Sequence, residues 1–355
     1  MGIHQFATSL SYGDAISDEM LEIRKALRQD GYESEIFIKY YDNQTAKYAH
    51  DYREYINLSS KKNIVIFHFS IGSPVSKMFF RIPDKKVMIY HNITPYKFFM
   101  DTHRILTKEC YKGRLELKMF ARKVDLALGD SEYNRKELEE AGYKNTGVLP
   151  LLLDLSKFDR EEDPVTKEIY DRRKTSLLFV GRVAPHKKFE DVIKVFYFYK
   201  NYFNSESRLF LAGDFRGMEK YYGGLQGLVN KLKLEDVHIT GHVNFSELTA
   251  YFKMAHVYLS MSEHEGFGVP LIEAFYNQIP VVAYEAGAVR ETMNQGGVLL
   301  KEKKMLAAAA LIDRIMRNGK LREKLIHSQN KALEKYQKRN VRRILMEHIQ
   351  EVLKT

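Results

Sequence analysis

The sequence contains a single cysteine, Cys110, and no long hydrophobic run among its 355 residues. One cysteine cannot form an intrachain disulfide, which fits a protein of a reducing compartment. No apolar stretch approaches the roughly 20 residues that a membrane-spanning helix needs. Residues 1–6 lack the basic start and the apolar core of a secretory signal peptide. We therefore predict a cytoplasmic protein.

Positive charge is in excess and is concentrated in two segments. The formal net charge is +10 and the isoelectric point is near 9.2, which favours anionic partners. Residues 61–123 contain 14 Lys and Arg against 4 Asp and Glu, and residues 301–355 contain 15 against 6. A basic nucleic-acid-binding protein is therefore one alternative. Against it, the sequence lacks a helix-turn-helix pattern, zinc-ligand spacing and the aromatic platforms of single-strand binders.

The length and the hydrophobic pattern predict two α/β domains. With 45% hydrophobic residues, the chain can bury two cores. Up to about residue 150, short apolar runs alternate with helical segments, as in a doubly wound parallel sheet. Residues 154–175 are charge-dense and predict an interdomain connection. A second βα series begins at residue 177 and includes a helix predicted over 224–234, and the basic stretch 303–353 is predicted to be helical.

Residues 262–285 predict a strand, a glycine-rich turn, a helix and a second strand. Gly266 and Gly268 flank Phe267 in the turn, and Pro270 suits the first turn of a helix. A helix start leaves backbone N–H groups free for an anion. Two acids, Glu265 and Glu273, bracket this turn, where carboxylates would serve as acceptors for hydroxyl groups. Phosphate together with hydroxyls indicates a sugar nucleotide.

A second candidate segment follows the first predicted strand of the second domain. Arg182 and Lys187 lie five residues apart in a loop that enters a helix, so both cations can reach one anion. By itself this pair fits an ordinary solvated loop. Beside the glycine turn of the same sheet edge, the two cations predict a diphosphate site.

These residues resemble the retaining glycosyltransferases of family 4. The resemblance rests on Glu265-Gly266-Phe267-Gly268 with Glu273, on Gly181-Arg182 with Lys187, and on Ile239-Thr240-Gly241. It implies the GT-B architecture, in which two Rossmann-like, doubly wound domains face each other across a cleft. The implied division is an acceptor domain over 1–155, a donor domain over 156–337, and a C-terminal helix over 338–355 that crosses back to the first domain.

The resemblance also implies roles for single residues. Glu273 would hold the ribose hydroxyls and Glu265 would approach the transferred sugar, while Arg182 and Lys187 would neutralise the diphosphate. His91, after a predicted strand of the first domain, resembles a histidine found at the sugar. The remaining donor-binding residues implied are Gly13, Gly181, Gly241, Gly266, Phe267, Gly268 and Val269. The family pattern has two neighbouring glycines here. Gly13 departs from it, because Tyr12 stands before Gly13 and Asp14 after it.

The predicted function is transfer of a sugar from a GDP- or UDP-linked donor to a hydroxyl of a glycan or lipid-linked acceptor. The family resembled retains the anomeric configuration, without an obvious nucleophile and with the leaving phosphate taking the acceptor's proton. No Asp-x-Asp occurs, so no metal and no other cofactor is expected at the diphosphate. The sequence of the N-terminal half resembles a bacterial subgroup of these transferases that is linked to surface polysaccharide assembly. The alternatives are a hydrolysing epimerase, whose acid cluster we cannot locate in the sequence, and an inactive scaffold.

Residues 97–123 interleave basic and apolar side chains and predict a basic amphipathic helix interrupted at Gly113. Such a helix can lie on an anionic membrane and reach a lipid-linked acceptor. It can equally pack its apolar face into the domain. The hypothesis is weak peripheral association with the inner face of the cell membrane.

Overall fold

Two compact units, each with one parallel sheet, make up the structure, a computed structural model that describes residues 1–170 and 173–354. The first unit comprises residues 1–97, 105–154 and the chain from Lys335, and the second comprises residues 98–104 and 155–334. The predicted fold class of two doubly wound α/β domains is confirmed. The sequence prediction placed residues 98–104 in the first domain, whereas their contacts lie with the second unit.

The first unit has a seven-stranded sheet in the order β3-β2-β1-β4-β5-β6-β7. The order reverses between β1 and β4, which is the topological switch point of a Rossmann-like sheet. Its elements are β1 (Ile3–Leu10), α1 (Ala15–Gln29), β2 (Ile36–Tyr41), β3 (Ala49–Asp51), β4 (Ile64–Phe69), α2 (Pro74–Arg81), β5 (Lys85–Tyr90), α3 (Arg104–Phe120), β6 (Leu126–Gly129), α4 (Glu132–Glu140) and β7 (Thr146–Val148), joined by the C-terminal helix of the chain.

The C-terminal helix covers one face of the first sheet. Val341, Leu345, Ile349 and Val352 recur at helical spacing, and each is at most 2% exposed in a core shared with α1, β1, β4, β5 and β6. At the end of this helix, Lys85 Nζ donates to the carbonyl of Val352 over 2.9 Å. A cation at that end is also favoured by the helix dipole.

The second unit has a six-stranded parallel sheet in the order β10-β9-β8-β11-β12-β13. Strands β8, β9 and β11 are almost wholly buried, as expected for a sheet covered on both faces. Its elements are α5 (Pro164–Ile169), β8 (Thr175–Val180), α6 (Phe189–Tyr202), β9 (Ser207–Ala212), α7 (Glu219–Lys231), β10 (Val237–Gly241), α8 (Phe245–Met254), β11 (Val257–Ser260), α9 (Val269–Tyr276), β12 (Val281–Tyr284), α10 (Val289–Met293), β13 (Val298–Leu300), α11 (Met305–Arg317) and α12 (Gly319–Leu333).

Several local predictions differ from the structure. Helix α7 begins at Glu219 rather than at residue 224. Its three interior glycines disfavour helix, and the surrounding fold stabilises the helix in spite of them. The basic closing stretch is helical, as predicted, and consists of three helices, α11, α12 and α13 (Lys338–Lys354). The short edge strands β3 and β7 were not predicted.

The predicted connection over 154–175 contains a 3-10 turn at Leu155–Asp159 and helix α5. Asp171 and Arg172 of that prediction lie outside the described residues, as does Thr355 of the predicted C-terminal helix. Among the described residues, no helix combines the length and the apolar character that a bilayer-spanning segment requires.

Candidate active site

The loop between β8 and α6 carries Arg182 and Lys187, and its path depends on a glycine. A Cβ atom at Gly213 would lie 1.8 Å from the carbonyl oxygen of Gly181, so only glycine lets the ends of β9 and β8 approach this closely. The loop then forms a 3-10 turn and ends at Lys188, whose φ of 52° is left-handed. Lys187 therefore lies immediately before the start of α6.

Lys187 and Glu265 form one ion pair. Lys187 Nζ lies 2.8 Å from each of the two carboxylate oxygens of Glu265. The side chains are 17% and 10% exposed, so the pair is shielded from solvent more than a surface salt bridge. The ammonium group has three N–H donors. Lys187 can therefore hold Glu265 and still donate to an added anion.

Arg182 is the exposed cation of the same loop. Its Nη2 lies 4.0 Å from the Cβ position of Gly217, and within residues 1–170 and 173–354 its side chain forms no ion pair. The neighbouring His186 is buried. Burial lowers the pKa of His186 well below its usual value, and the charges of Lys187, His264 and Arg182 lower it further. His186 is therefore neutral, in a loop whose electrostatic potential is positive.

The predicted glycine turn leads into helix α9. Gly268 precedes the helix with a φ of 94°, a conformation that favours glycine, and Pro270 occupies the first turn. Thr292 Oγ1 donates to the carbonyl of Phe267 over 2.5 Å and so fixes the turn. Gly268 has no side chain that could cap the start of the helix. Gly266, Phe267, Gly268 and Val269 thus form a backbone turn in front of a helix N-terminus, which suits an anion.

The two acids of the predicted site are both buried. Glu265 is 9% exposed and Glu273 is 6% exposed, with Lys157 Nζ 3.9 Å from Glu273 Oε1. Both are close enough to the Tyr258 hydroxyl that, after its burial, their charges help to raise its pKa well above the usual value. A Cβ at Gly287 would lie 2.3 Å from the carbonyl oxygen of Glu265, so the chain after β12 closes tightly over this loop.

Two further predicted glycines adopt left-handed backbone conformations. Gly241 ends β10 with a φ of 73°, and a Cβ there would lie 3.3 Å from the Phe215 ring. In the first unit, Gly13 has a φ of 77° in the turn between β1 and α1. The next residue, Asp14, caps α1 by accepting from the backbone N–H of Ser17 over 2.9 Å.

His91 lies in the first unit, in a buried cluster of polar side chains. Its Nδ1 lies 3.0 Å from Asp130 Oδ2, and its Nε2 lies 2.9 Å from His68 Nδ1. The His91 side chain is 2% exposed. Glu19 Oε2 lies 3.7 Å from the same Nε2. A contact between the His91 ring and a sugar would therefore require one of its two hydrogen bonds to break.

The cluster is strongly coupled electrostatically. Burial alone would lower the pKa of His91, but the Asp130 carboxylate, assisted by Glu19, raises it to about 9. Burial raises the pKa of Glu19 to about 8, against the opposing effect of His91. Burial, with the charge of His91, lowers the pKa of His68 well below its usual value.

The structure thus groups the predicted residues by unit. Gly181, Arg182, Lys187, Gly241, Glu265, the glycine turn and Glu273 belong to the second unit, and Gly13 and His91 belong to the first. Sequence reasoning missed Glu19 and His68, although His68 occurs near the end of β4 as His91 follows β5. It also missed Lys303, whose Nζ lies 2.9 Å from both Asp191 Oδ2 and Glu263 Oε1.

Residues 159–332 match the family Glycosyl transferases group 1. The "Uncharacterized 41.2 kDa protein in cps region" of Klebsiella pneumoniae is 24% identical over 250 residues, which are 67% of this chain and 64% of that protein. The "O-antigen chain mannosyltransferase RfbU" of Salmonella typhimurium is 30% identical over 122 residues, which are 34% of this chain and 33% of that protein. The matches span between about a third and just under two thirds of the curated relatives' own length.

The fold is also found in a solved structure, "Crystal structure of Anabaena Alr3699/HepE in complex with UDP and glucose". The TM-score is 0.74 at 16% identity, and the match covers 99% of this chain and 100% of the Anabaena chain. At this identity the likeness shows the fold alone, which is the GT-B type with two Rossmann-like domains.

Proposed function

Because residues 159–332 match the family Glycosyl transferases group 1, we propose that this chain is a glycosyltransferase. The donor is a nucleoside diphosphate sugar, linked to UDP or GDP. The acceptor is a hydroxyl group of a glycan or of a lipid-linked saccharide, in the assembly of a surface polysaccharide or glycolipid. The two relatives described above, one from a cps region and one named for O-antigen chains, support that pathway class.

The observation that carries the proposal is the ion pair of Lys187 with Glu265, with Arg182 in the same loop as Lys187 and Glu265 in the turn that leads into α9. Lys187 is held at 2.8 Å by Glu265, so its ammonium group is oriented before a ligand arrives. Arg182 forms no ion pair among the described residues and remains available to paired phosphate oxygens. Preorganised donors of this kind stabilise the charge that develops on a leaving diphosphate.

The same geometry supports a positioning role for Glu265 rather than a nucleophilic one. Both of its oxygens contact the Lys187 ammonium, which stabilises the carboxylate and reduces its nucleophilicity. A covalent glycosyl-enzyme through Glu265 would have to disrupt this pair. We therefore propose retention by reaction on one face of the sugar, with the leaving phosphate accepting the proton of the acceptor hydroxyl. Glu265 orients the sugar and shields the positive charge at the anomeric carbon.

Glu273 is proposed to bind the ribose hydroxyls. It lies within the first two turns of α9 and is 6% exposed, so a hydroxyl that reaches its carboxylate makes a hydrogen bond protected from water. Hydrogen bonds to ionised groups contribute about 1.5–3 kcal/mol. This contact would distinguish a nucleoside diphosphate from a bare diphosphate.

Metal independence of the transfer step is part of the proposal. Arg182 and Lys187 supply two positive charges from one loop, which is the charge that a divalent ion would bring to a diphosphate. We expect equal transfer rates with and without added Mg²⁺ or Mn²⁺. A requirement for either added ion would refute this part of the proposal.

The exposed face of α3 supports a peripheral membrane association. Ile105, Leu115 and Met119 are 65%, 48% and 69% exposed, and Tyr111 is 49% exposed on the same helix. Exposed basic residues of this face are Arg104, Lys108, Lys112 and Lys118. Apolar side chains flanked by cations are the pattern with which a helix binds an anionic bilayer surface. We propose that this face lies on the inner leaflet, where a lipid-linked acceptor would be presented.

A ligand screen tests the proposed donor class. Thermal unfolding of the full chain is recorded with UDP, GDP and ADP, and with their sugar derivatives. A ligand at about 100 times its dissociation constant stabilises the folded state by about 2.7 kcal/mol. We expect one nucleotide class to raise Tm, and the Arg182→Ala variant to lose most of the shift. Absence of a shift with every nucleotide would refute the proposed donor site.

A further inference from the structure

A polar cavity of the second unit lies at the amino ends of three neighbouring strands. Its volume is about 470 Å³. Ser176 and Arg208 are the second residues of β8 and β9, and His256 immediately precedes β11. These strands are adjacent in the sheet. Arg208 and His256 line the cavity together with Glu162, Lys167, Lys253, Met254, Ala255 and Arg322.

The cavity is separate from the proposed transfer site. Ser176 begins the stretch of β8 that ends before Gly181, and five residues of extended chain span about 17 Å. The candidate diphosphate cations Arg182 and Lys187 follow the carboxyl end of this strand. One phosphate group cannot contact both ends of β8, so any anion in the cavity occupies a second site.

Two hydrogen bonds fix the orientation of the His256 ring. The backbone N–H of His256 donates to the carbonyl of Ser176 over 2.8 Å, and the backbone N–H of Ser176 donates to His256 Nδ1 over 3.1 Å. Because Nδ1 accepts, the ring is neutral and its proton lies on Nε2. Burial, assisted by the charges of Arg322 and Arg208, lowers the pKa of His256 and so favours this neutral form. In the part of the chain that the structure describes, His256 Nε2 has no acceptor, and it can donate to a ligand.

Arg208 brings a fixed and largely buried positive charge to the cavity. Its Nε donates to Ser176 Oγ over 2.9 Å, and the residue is 3% exposed. Its guanidinium carbon lies 5.4 Å from the ring centres of both Tyr170 and Phe210, so the group is also held by cation–π contacts. The guanidinium is therefore oriented before a ligand arrives.

The lining residues carry an excess of positive charge. Among those that the structure describes there is one acid, Glu162, which contacts Lys167 at 2.5 Å. Four lining residues are cations, namely Lys167, Arg208, Lys253 and Arg322. Arg322 forms no ion pair within residues 1–170 and 173–354, and it is the fourth residue of α12, where the helix dipole disfavours a cation. An anion in the cavity would compensate this charge.

We propose that this cavity binds the phosphate group of a small phosphorylated metabolite. A phosphate monoester presents several acceptor oxygens in different directions, which matches the fork of Arg322, the ammonium group of Lys253 and the N–H of His256. Its charge of nearly two offsets most of the excess, whereas a carboxylate would offset about one unit. The volume is within the range of small-molecule sites, so the organic part of the ester also fits. The site is independent of the proposed sugar transfer.

Calorimetric titration of the full-length protein tests the proposal at constant ionic strength. The probes are inorganic phosphate and glycerol 3-phosphate, with glycerol as the uncharged control. The double variant Arg182→Ala, Lys187→Ala, which lacks the candidate diphosphate cations, should still bind about one anion per chain. In this background, Arg322→Ala and Lys253→Ala should each weaken binding by about tenfold or more. Lys320→Ala, which removes an exposed cation of α12 outside the cavity, should have no effect.

A second measurement needs only the wild type. Phosphate is titrated in the presence of added UDP or GDP, and we expect the nucleotide not to displace it. Equal affinity for both probes would mean that the site holds the phosphate group alone, and tighter binding of glycerol 3-phosphate would add contacts with the ester.

Three results would overturn the proposal. One is wild-type binding weaker than about 10 mM for both probes. Another is binding that the double variant loses while folded Arg322→Ala and Lys253→Ala retain it, because the anion would then occupy the candidate diphosphate site. The third is displacement of phosphate by the nucleotide. Since no sugar donor is used, a failure of the proposed sugar transfer would leave all these results unaffected.

Discussion

Lys187 contributes a positive charge to the proposed donor site, and its contacts fix the position of that charge. Its ammonium group contacts both oxygens of Glu265 at 2.8 Å, and the next residue turns the chain into α6. Lys187 is therefore oriented before the donor binds, so little reorganisation is needed when charge moves to the diphosphate. A substitution that keeps the charge but changes its position should already lower the rate.

The first prediction concerns turnover. Lys187→Ala and Arg182→Ala should each lower kcat by about 100-fold or more, because the charge of the leaving diphosphate is no longer compensated. Lys187→Arg should recover only part of the loss, since a guanidinium cannot reproduce the same contact with Glu265. The exposed control Arg216→Ala, which removes a cation paired with Asp214, should leave kcat unchanged. Steady-state kinetics with the identified donor measure all four variants.

The second prediction separates the two acids. Glu273→Ala should weaken binding of the nucleoside diphosphate by about tenfold or more, because a hydrogen bond to the ribose is lost. Binding of inorganic pyrophosphate should not change. Calorimetric titration with both ligands provides the comparison, and Glu235→Ala, an exposed acid of the same unit, serves as the control. Equal weakening for both ligands would contradict the ribose assignment.

Helices α3 and α7 show that a glycine has opposite consequences in different elements. The sequence predicted that Gly113 would interrupt the helix, yet α3 runs unbroken over Arg104–Phe120. A Cβ at Gly113 would lie 2.7 Å from the backbone nitrogen of Gly72, so glycine is needed there for close packing. Gly223 of α7 has open space where a Cβ would be. The contact, which depends on a residue far away in the chain, could not be predicted from local sequence.

The third prediction uses these two glycines as a matched pair. Gly113→Ala should destabilise the first unit by about 1–3 kcal/mol, since the methyl group overlaps the backbone of a neighbouring segment. Gly223→Ala should stabilise the second unit by about 0.5–1 kcal/mol, because alanine loses less conformational freedom in a helix. Denaturant unfolding followed by circular dichroism measures both changes. The same sign for both substitutions would contradict this account of their packing.

The fourth prediction concerns the exposed face of α3. The triple substitution Ile105→Ser, Leu115→Ser and Met119→Ser should abolish binding to vesicles containing anionic lipid, since it removes the apolar anchors. Tm should stay unchanged, because all three side chains are exposed. The control Ile169→Ser, on α5 and 68% exposed, should bind vesicles like the wild type. Sedimentation with vesicles gives the answer, and equal binding of the triple variant would refute a membrane role for this face.

At the scale of the whole molecule, the first six strands of the first sheet have the same order as the six strands of the second. Both sheets place candidate site residues at the carboxyl ends of strands. This arrangement could be predicted from the alternation of apolar runs and helical segments. The residues Lys187 and Glu265 were also predicted, each from its own motif. Their ion pair could not be, because 78 residues separate them and only the order of β8 and β11 in the sheet brings them together.

The cluster around His91 illustrates the other limit of prediction from sequence. His68 lies one residue before the end of β4 and His91 directly follows β5, and this repetition is visible in the sequence. Glu19 lies on the buried side of α1, among Met20, Ile23 and Leu27, where an ionised carboxylate is unfavourable without polar partners. Only the parallel pairing of β4 with β5 shows that these side chains meet.

The central claim is sugar transfer from a nucleotide-linked donor, and one experiment tests it directly. Radiolabelled UDP- and GDP-sugars are supplied to the wild type and to the double variant Arg182→Ala, Lys187→Ala, together with bacterial membranes as a source of glycan and lipid-linked acceptors. We expect the wild type to transfer label from one donor class into the acceptor fraction, and the folded double variant to lose this activity. Undiminished transfer by the double variant, or no transfer and no binding with any donor, would contradict the account.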